Sequence, residues 1–373
     1  MKICLVSDFD FRSSGYFNIS CSLFSELSIR GHEVKAIGLG YHGEEHTFPF
    51  GIIPCNSIQD SFAMIVNLKN LWNFDVLVVA MDIPIQEQYV NFNIQNGNKL
   101  KYVGIMPIEA DPLCISWALV LMQMNKALII SAFGTEEARR VGVNAVYLPI
   151  GIDTEIWRKP IEIERTKLRD ALGFGDDYIV LTVAYNQERK FLSRSLESFA
   201  EFVKTVPDSK YVLVTAEQSP VGWKIRDLAQ ELGISNKVVI IERGMEFKKL
   251  WGVYAASDVF LLLSKAEGLG MPLLESMAMD IPCVGTNCTG IKEVLADGRG
   301  YLVDYDYTIR DPFGNGRRYY ASIEDGAKKL LEAYTHRSTV NPSVSEYIKS
   351  RTWTKAADVL ETSLKDIVDE QKE

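Results

Sequence analysis

Short apolar runs alternate with helical patterns along most of this chain. The predicted strands fall at residues 3–6, 34–38, 76–79, 101–105, 127–131 and 145–149, and then at 179–183, 210–215, 238–242, 259–263 and 282–285. Helices between successive buried strands are typical of parallel sheets, because a parallel crossover needs a long connection. The alternation therefore limits the fold to doubly wound α/β units.

The number of such units follows from chain length. With 373 residues, the chain is longer than one ordinary hydrophobic core supports, and the charged segment from Arg158 to Arg169 separates the two series of strands. We predict two doubly wound domains, joined by a linker within Asp153 to Arg165. A ligand is expected between them, at the carboxyl ends of the sheets.

The segment from Ser264 to Glu275, Ser-Lys-Ala-Glu-Gly-Leu-Gly-Met-Pro-Leu-Leu-Glu, predicts a phosphate site. It follows a buried strand and contains Gly268 and Gly270, which leave room for a ligand to approach the start of a helix. Pro272 suits the first position of that helix, where its missing N–H has no cost. Free backbone N–H groups and the helix dipole favour a diphosphate there.

Two glutamates flank this turn, Glu267 in the loop and Glu275 in the expected first turn of the helix. Carboxylates accept hydrogen bonds from hydroxyl groups, so the two glutamates fit a ribose and a sugar on either side of the diphosphate. This pairing describes a nucleotide sugar. On the alternative interpretation, Glu275 is a favourable charge in a first helical turn and Glu267 is a solvated loop acid.

Two further segments fit the same kind of site. Arg189 and Lys190 follow the strand at 179–183, where cations can neutralise a leaving diphosphate. The alternative interpretation is an exposed pair at a helix start. Gly15 ends the loop after the first strand and leaves room for a phosphate. The alternative interpretation of Gly15 is an ordinary turn glycine, because no Gly-x-Gly-x-x-Gly pattern surrounds it.

Charge and composition narrow the expected partners. The net charge of −9 argues against nucleic acid as the main partner, although it leaves a local basic patch open. Six cysteines without paired short spacings predict reduced thiols, and the N-terminus is typical of a first strand and not of a signal peptide. The longest uncharged apolar stretch is too short to span a bilayer, which leaves peripheral membrane contact open. We expect a cytoplasmic protein of undetermined oligomeric state.

The motif and several flanking segments resemble retaining glycosyltransferase family four. The resemblance is carried by 256–264, Glu267, 268–272 and Glu275, and by 30–34, 131–134, 149–153, 283–286 and 290–293. These landmarks stand in the family's usual order and span nearly the whole chain. The resemblance implies an α/β protein of GT-B fold, with two doubly wound Rossmann-like domains that face a central cleft and a C-terminal helix that crosses back to the first domain.

The resemblance also assigns domains and donor contacts. It implies an acceptor-binding domain over 1–156, a nucleotide-sugar-binding domain over 157–354 and a terminal helix over 355–373 that packs on the first domain. By similarity, Glu275 binds the ribose, Glu267 the donor sugar and Lys190 the phosphates. The backbone beside the diphosphate is that of Gly268, Leu269, Gly270, Met271, Pro272 and Leu273, and the base is expected near Gly244 and Met245, where the alternative is an ordinary loop glycine.

One position departs from the family pattern. An arginine usually stands five positions before the phosphate-binding lysine, and here that position is Tyr185. We hypothesise that Arg189 supplies the missing charge. On the acceptor side, Glu109 is expected to face the reaction centre and Asp111 is the second candidate. The alternative is a turn acid that caps the helix at Ile115.

The resemblance implies an enzyme that moves a hexosyl or pentosyl group from a UDP- or GDP-sugar to a hydroxyl group, with retention at the anomeric carbon. It implies neither a prosthetic group nor a metal, because fixed cations and a helix N-terminus stabilise the leaving group. The expected acceptor is a glycan, a lipid-linked sugar or a small metabolite. The alternatives are a transferase that modifies nucleic acid or protein, and a non-catalytic nucleotide-sugar-binding protein.

Overall fold

A computed structural model describes residues 1–10, 15–337 and 341–369 of the chain. The chain divides into two compact units, one made of Met1–Gly151 with the C-terminal stretch from Arg351, the other of Ile152–Ser350. The chain therefore enters the second unit once, at residue 152, and returns to the first unit at residue 351. The domain boundaries expected after residues 156 and 354 lie a few residues beyond these two points.

The first unit is built on a seven-stranded sheet in the order β3-β2-β1-β4-β5-β6-β7, in which every neighbouring pair is parallel. Its strands are β1 (Lys2–Asp8), β2 (Glu33–Leu39), β3 (Gly51–Cys55), β4 (Val76–Ala80), β5 (Tyr102–Met106), β6 (Lys126–Ile129) and β7 (Ala145–Tyr147). Its helices are α1 (Gly15–Ile29), α2 (Ile58–Trp72), α3 (Ile83–Gln95), α4 (Ile115–Met122), α5 (Ala132–Arg140) and the terminal α14 (Trp353–Asp369).

Strand β3 is absent from the apolar runs of the sequence because Pro54 interrupts it. It lies at the edge of the sheet, where Pro54 stands opposite Gly38 of β2. Proline lacks the N–H that a central strand donates to its neighbour, so an edge position tolerates it. The sheet therefore has one strand more than the sequence pattern indicates.

The terminal helix α14 packs on α1 within the first unit. Its apolar face buries Ala356, Leu360 and Leu364. Arg30, which follows α1, donates a hydrogen bond to Glu361 at 2.9 Å and adds an ion pair beside this apolar contact. The predicted return of the C-terminal helix to the first domain is confirmed.

Gly151 ends the first passage of the chain through this unit and lies against the segment that returns to it. A side chain at position 151 would clash with the backbone of Thr352 and Trp353. Glycine allows this close approach because it has no Cβ. The points at which the chain leaves and re-enters the first unit are therefore neighbours in space.

The second unit is built on a six-stranded parallel sheet in the order β10-β9-β8-β11-β12-β13, followed by a two-stranded antiparallel hairpin. Its strands are β8 (Tyr178–Val183), β9 (Ser209–Thr215), β10 (Val238–Glu242), β11 (Val259–Leu262), β12 (Cys283–Thr286) and β13 (Tyr301–Val303), and the hairpin is β14 (Tyr305–Arg310) and β15 (Arg317–Ala321). Its helices are α6 (Glu162–Leu172), α7 (Leu192–Thr205), α8 (Ile225–Glu231), α9 (Phe247–Ala255), α10 (Met271–Ala278), α11 (Thr289–Leu295), α12 (Ile323–Thr335) and α13 (Pro342–Ser350).

The predicted fold class, two doubly wound parallel sheets, is confirmed, and every strand predicted from an apolar run is present. Strand β13 and the β14–β15 hairpin are additions that the apolar runs do not indicate. All six residues of β14 are exposed, so this strand lacks the buried face that produces a recognisable pattern. The hairpin begins two residues after β13 and so lies at the carboxyl edge of the second sheet.

The packing of α14 on α1 generates a stability prediction. We expect Leu360→Ala to lower the free energy of unfolding by about 2–5 kcal/mol, because it removes a fully buried side chain and leaves a cavity. Thr362→Ala, at an exposed position of the same helix, is the control and should change stability by less than about 0.5 kcal/mol. Urea denaturation followed by circular dichroism measures both; equal midpoints for the two variants would contradict the packing described here.

Candidate functional site

The order of strands in the second sheet locates a candidate site. Strand β8 lies between β9 and β11, so the chain winds in one direction from β8 and in the other from β11. At such a switch point the connections that follow the two strands diverge and leave a crevice at the carboxyl edge. The connection after β8 carries Arg189 and Lys190, and the connection after β11 carries Glu267.

Glu267 is the centre of a charged cluster at this edge. Its carboxylate lies 2.9 Å from Arg189 Nη1 and 2.5 Å from Lys190 Nζ. The Ser264 hydroxyl donates a third hydrogen bond to it at 2.6 Å. Because Glu267 is only 5% exposed, the alternative interpretation of a solvated loop acid is wrong.

The two cations are also more enclosed than an exposed pair at a helix start would be. The side chains of Arg189 and Lys190 are 23% and 16% exposed, and both residues lie in a short 3-10 turn, Glu188–Lys190. Arg189 Nη1 donates a further hydrogen bond to the carbonyl of Ala266 at 2.6 Å. The turn after β8 is therefore held against the loop after β11 by side-chain contacts.

Electrostatics decides the charge of Glu267. Burial alone would raise the pKa of this carboxyl group, but the charges of Lys190 and Arg189 and their hydrogen bonds more than offset it and hold the pKa at about 2. Glu267 is consequently ionised near neutral pH. It can accept hydrogen bonds but cannot donate a proton.

Backbone contacts fix the loop that leads from Glu267 into α10. Gly270 caps the helix with φ +90°, a conformation that favours glycine. Thr289 accepts a hydrogen bond from the backbone N–H of Glu267 at 2.9 Å, and Gly290 donates one to the Glu267 carbonyl at 3.0 Å. A Cβ on Gly290 would lie 2.6 Å from the carbonyl oxygen of Gly268, so glycine is needed there for close packing.

The predicted phosphate-binding backbone is arranged around this cap. Gly268 and Leu269 lie in the buried loop before it, and Met271, Pro272 and Leu273 are the first three residues of α10. The N–H groups at the start of a helix have no partner within the helix. In α10, Pro272 has no N–H group and the N–H of Leu273 donates to the carbonyl of Gly270 at 2.9 Å, so the candidate donors are the N–H groups of Gly270 and Met271.

Glu275 lies one residue further along α10 than expected, just beyond the first turn. It is the fifth residue of the helix, and the first turn holds no acidic side chain, so its interpretation as a first-turn charge is wrong. Glu275 is 7% exposed and accepts a hydrogen bond from the Tyr254 hydroxyl at 2.7 Å. Burial raises the pKa of Glu275 to about 7, although the Tyr254 hydrogen bond acts in the opposite direction.

Tyr185 stands where the family usually has an arginine, and the side chain of another arginine packs on its ring. The guanidinium of Arg243 lies 4.9 Å from the centre of the Tyr185 ring, within the range of a cation–π contact. Gly244 follows with φ +84°, so this turn also needs glycine, and Met245 is half-buried beside it. The structure thus brings Tyr185 together with the segment expected to hold the base.

The candidate residues of the first unit lie at the carboxyl edge of its own sheet. Glu109 and Asp111 are half-buried in the connection between β5 and α4. Gly15 is the first residue of α1 and is exposed, while residues 11–14 of the preceding loop lie outside the described residues. Glu137 of α5, which the sequence pattern does not single out, is 3% exposed, and burial raises the pKa of its carboxyl group, with Asp111 of this connection adding to the rise.

Sequence reasoning missed four side chains that shape these sites: Ser264, Thr289, Tyr254 and Glu137. Ser264 carried a local signal, since it precedes Glu267 by three residues and its hydroxyl can reach back to a loop carboxylate. Tyr254 and Thr289 lie 21 and 22 residues from their partners, and such contacts leave no local pattern. Glu137 resembles any charged residue of an exposed helix until its burial is known.

Three further observations concern metals, thiols and membranes. Within residues 1–10, 15–337 and 341–369, no group of three or more His, Cys, Asp or Glu side chains is placed to hold a metal ion. All six cysteines are free thiols, and five of them are buried. In the same part of the chain, no helix combines the length and the hydrophobicity that crossing a bilayer requires.

Two doubly wound units, with a charged site at the switch point of the second, define a two-domain α/β protein of GT-B type. Among solved structures, an Anabaena protein, HepE, crystallised with UDP-glucose superposes with a TM-score of 0.68 at 14% identity, over 99% of this chain and 98% of that one. Residues 164–309 match the family model described as Glycosyl transferases group 1.

Curated relatives extend this match beyond the second unit. N-acetyl-alpha-D-glucosaminyl L-malate synthase of Bacillus anthracis is 32% identical over 313 residues, which cover 77% of this chain and 79% of that protein. A GDP-mannose-dependent alpha-(1-6)-phosphatidylinositol monomannoside mannosyltransferase of Mycolicibacterium smegmatis is 29% identical over 188 residues, about half of either chain at 48% and 47%. The chain belongs to the group 1 glycosyltransferases, and the predicted resemblance to family four is confirmed.

The different environments of the two glutamates generate a pH-dependent prediction. The pKa of Glu275 is about 7 in the folded protein and usually near 4.5. Between these values the folded protein holds a proton that the unfolded chain has released, so stability falls as pH rises through this window. At pH 8, Glu275→Gln should therefore be more stable than the unaltered protein by up to about 3 kcal/mol, with most of the gain lost by pH 5.

Glu267→Gln is the matched control for this measurement. Its carboxylate is already ionised and paired, so its loss should destabilise the protein at both pH values by leaving Arg189 and Lys190 without their shared partner. Urea denaturation of the three proteins at pH 5 and pH 8 provides the comparison. A gain at Glu275 that does not change with pH would show that burial does not raise its pKa.

Proposed function

We propose that the second unit binds a nucleoside diphosphate sugar and that the enzyme transfers this sugar to an acceptor hydroxyl group. The observation that carries the proposal is a pair of buried carboxylates on either side of a glycine-capped helix start. Glu267 lies beside two cations and Glu275 beside Tyr254. A ligand with hydroxyl groups at both ends and a diphosphate in the middle matches this order of charges.

The proposed contacts follow the positions of these groups. Glu275 accepts hydrogen bonds from the ribose hydroxyls, and Glu267 accepts them from hydroxyls of the donor sugar. The backbone at the start of α10, from Gly270 to Leu273, lies along the diphosphate. The N–H groups of Gly270 and Met271 bind it, because Pro272 has no N–H group. Lys190 donates to the same phosphates, which requires it to share its charge between the ligand and Glu267. Ribose binding also favours the ionised form of Glu275, so donor affinity should increase as pH rises through about 7.

The proposed chemistry is a displacement at the anomeric carbon with retention of configuration. The bond between this carbon and the diphosphate breaks, a bond to the acceptor oxygen forms on the same face, and the acceptor proton passes to the departing diphosphate. Arg189 and Lys190 stabilise the charge that develops on the leaving group. We propose that these fixed cations do the work that a divalent metal does in other transferases, so chelation should leave activity intact.

The proposed donor is a UDP- or GDP-linked hexose, with a pentose as the less favoured donor sugar. A GDP-mannose-dependent relative and a neighbour crystallised with UDP-glucose support this range. The base is proposed to lie near Gly244 and Met245. The names of the two relatives support a small metabolite or a lipid-linked sugar as the acceptor. In the first unit, Glu109 is proposed to orient the attacking hydroxyl group, with Asp111 as the second candidate.

A panel of nucleotide sugars tests this function. UDP- and GDP-linked hexoses and pentoses are incubated with hydroxylated small acids and with lipid-linked sugars, and release of free nucleotide is measured with and without a chelator. We expect one donor to react, and Glu275→Ala to raise its KM by about tenfold or more, because two ribose hydrogen bonds are lost. Proton NMR of the product gives its anomeric configuration; an inverted product would contradict retention, and full activity of Glu275→Ala would contradict the ribose contact.

The position of Tyr185 generates a second test. If Arg189 supplies the charge that the family's usual arginine provides, Arg189→Ala should lower kcat by about 10–100-fold with a smaller change in KM. Adding Tyr185→Arg to that variant should restore part of the loss, since it returns a cation to the family's position. Arg226→Ala, at an exposed arginine paired with Glu217, is the control. An unchanged kcat in Arg189→Ala would overturn this role. If kcat falls in Arg243→Ala and not in Arg189→Ala, the role belongs to Arg243, the cation on the Tyr185 ring.

A further inference from the structure

Lys265, two residues before Glu267, is a buried lysine to which the proposed chemistry gives no role. Its side chain is 3% exposed. A charged amine at this depth needs partners that replace water, because an isolated buried ion is very costly. The contacts of the Lys265 ammonium group therefore identify the segments that this side chain connects.

Two aromatic rings enclose the ammonium group of Lys265. Its Nζ atom lies 4.3 Å from the ring centre of Phe191 and 4.3 Å from that of Tyr320. Both distances are within the range of a cation–π contact, which is strongest where water is excluded. Glu188 completes the surroundings with an ion pair to the same nitrogen.

These partners come from two separate segments beside the site. Glu188 begins the turn that carries Arg189 and Lys190, and Phe191 ends it in the left-handed conformation with φ 51°. Tyr320 belongs to β15 of the hairpin, where its ring stacks on Tyr307 of β14 at 4.7 Å. The side chain of Lys265 thus joins the cation-bearing turn to the hairpin.

The backbone of Lys265 makes the same two connections. Its N–H donates to the carbonyl of Arg189 at 2.9 Å, and its carbonyl accepts from the N–H of Tyr319 at 2.9 Å. One residue therefore bonds the turn on one side and β15 on the other, through both its main chain and its side chain.

We propose that Lys265 is a positioning residue that presents Arg189 and Lys190 to the donor diphosphate, and that the β14–β15 hairpin is the support against which it does so. The proposal rests on the function proposed above. Lys265 does not touch the ligand. It acts by holding Glu188 and Phe191, which are the residues on either side of the two cations, and the hairpin holds Lys265 in turn through Tyr320.

This role predicts a specific pattern of nucleotide binding. If Lys265 only stabilised the fold, its loss would weaken every ligand of the second unit to a similar degree. If it positions the two cations, its loss affects the phosphate beyond the first one most. Nucleoside diphosphates should therefore lose affinity while nucleoside monophosphates, which share the base and ribose contacts, keep most of theirs.

The test measures binding of UDP, UMP, GDP and GMP to full-length variants by titration calorimetry. We expect Lys265→Met to weaken the preferred diphosphate by about tenfold and its monophosphate by less than about twofold. Tyr320→Leu, which removes one ring, should follow the same pattern, and Tyr320→Phe, which keeps the ring, should bind as the unaltered protein does. Ile309→Ala, on an exposed part of β14, is the matched control for the hairpin.

Equal losses for the diphosphate and the monophosphate, or no loss in Lys265→Met, would overturn the proposal. The double variant Lys265→Met with Tyr320→Leu tests the link between the two side chains without any ligand. It therefore distinguishes a failure of this inference from a failure of the proposed function. If the unaltered protein binds none of the four nucleotides, the proposed function and the ligand part of this inference both fail. Urea denaturation of the cycle still reports on the link itself: additive effects of the two substitutions would overturn it, and a double variant no less stable than Lys265→Met alone would support it.

Discussion

The carboxylate of Glu267 and its two cations connect segments that the chain places far apart. Arg189 and Lys190 precede Glu267 by 78 and 77 residues, and their contacts bring the turn after β8 against the loop after β11 at the switch point of the second sheet. A buried carboxylate needs such partners, because removing it from water without them is very costly. Both cations donate to Glu267, so a ligand that draws on them must offer Glu267 other donors. A sugar with free hydroxyl groups does this.

Glu275 shows the opposite solution within the same helix start. It is as deeply buried as Glu267, but it accepts its hydrogen bond from a neutral hydroxyl group, that of Tyr254. Burial therefore raises the pKa of Glu275, whereas the cations lower that of Glu267. Two glutamates eight positions apart therefore differ in charge state near neutral pH. Groups held in an unfavourable state by the fold are often those that a ligand stabilises. Ribose hydroxyls would supply donors that Tyr254 alone does not.

Much of this arrangement could be predicted from sequence because it depends on local patterns. The apolar runs of the parallel strands, the glycines before α10 and the spacing of Glu267 and Glu275 are all visible in short segments. The positions of Glu275 and Pro54 show the limits of such patterns: the start of a helix is uncertain by a residue or two, and a proline hides an edge strand. Lys265 shows a second limit. Its sequence neighbours do not distinguish it from a solvated loop lysine, and its three side-chain partners lie 77, 74 and 55 positions away.

The close approach of Gly151 to Thr352 and Trp353 has a consequence for how the protein is assembled. The second unit is one continuous segment, whereas the first is made of two segments. The end of the first segment and the start of the second lie side by side. In topological terms, the second unit is an insert and the first unit is its host. Because these two chain ends are adjacent, a short linker can join the two segments of the first unit directly. The second unit can likewise be exchanged as a single segment. This arrangement allows the second unit to be exchanged between members of the family without rebuilding either sheet.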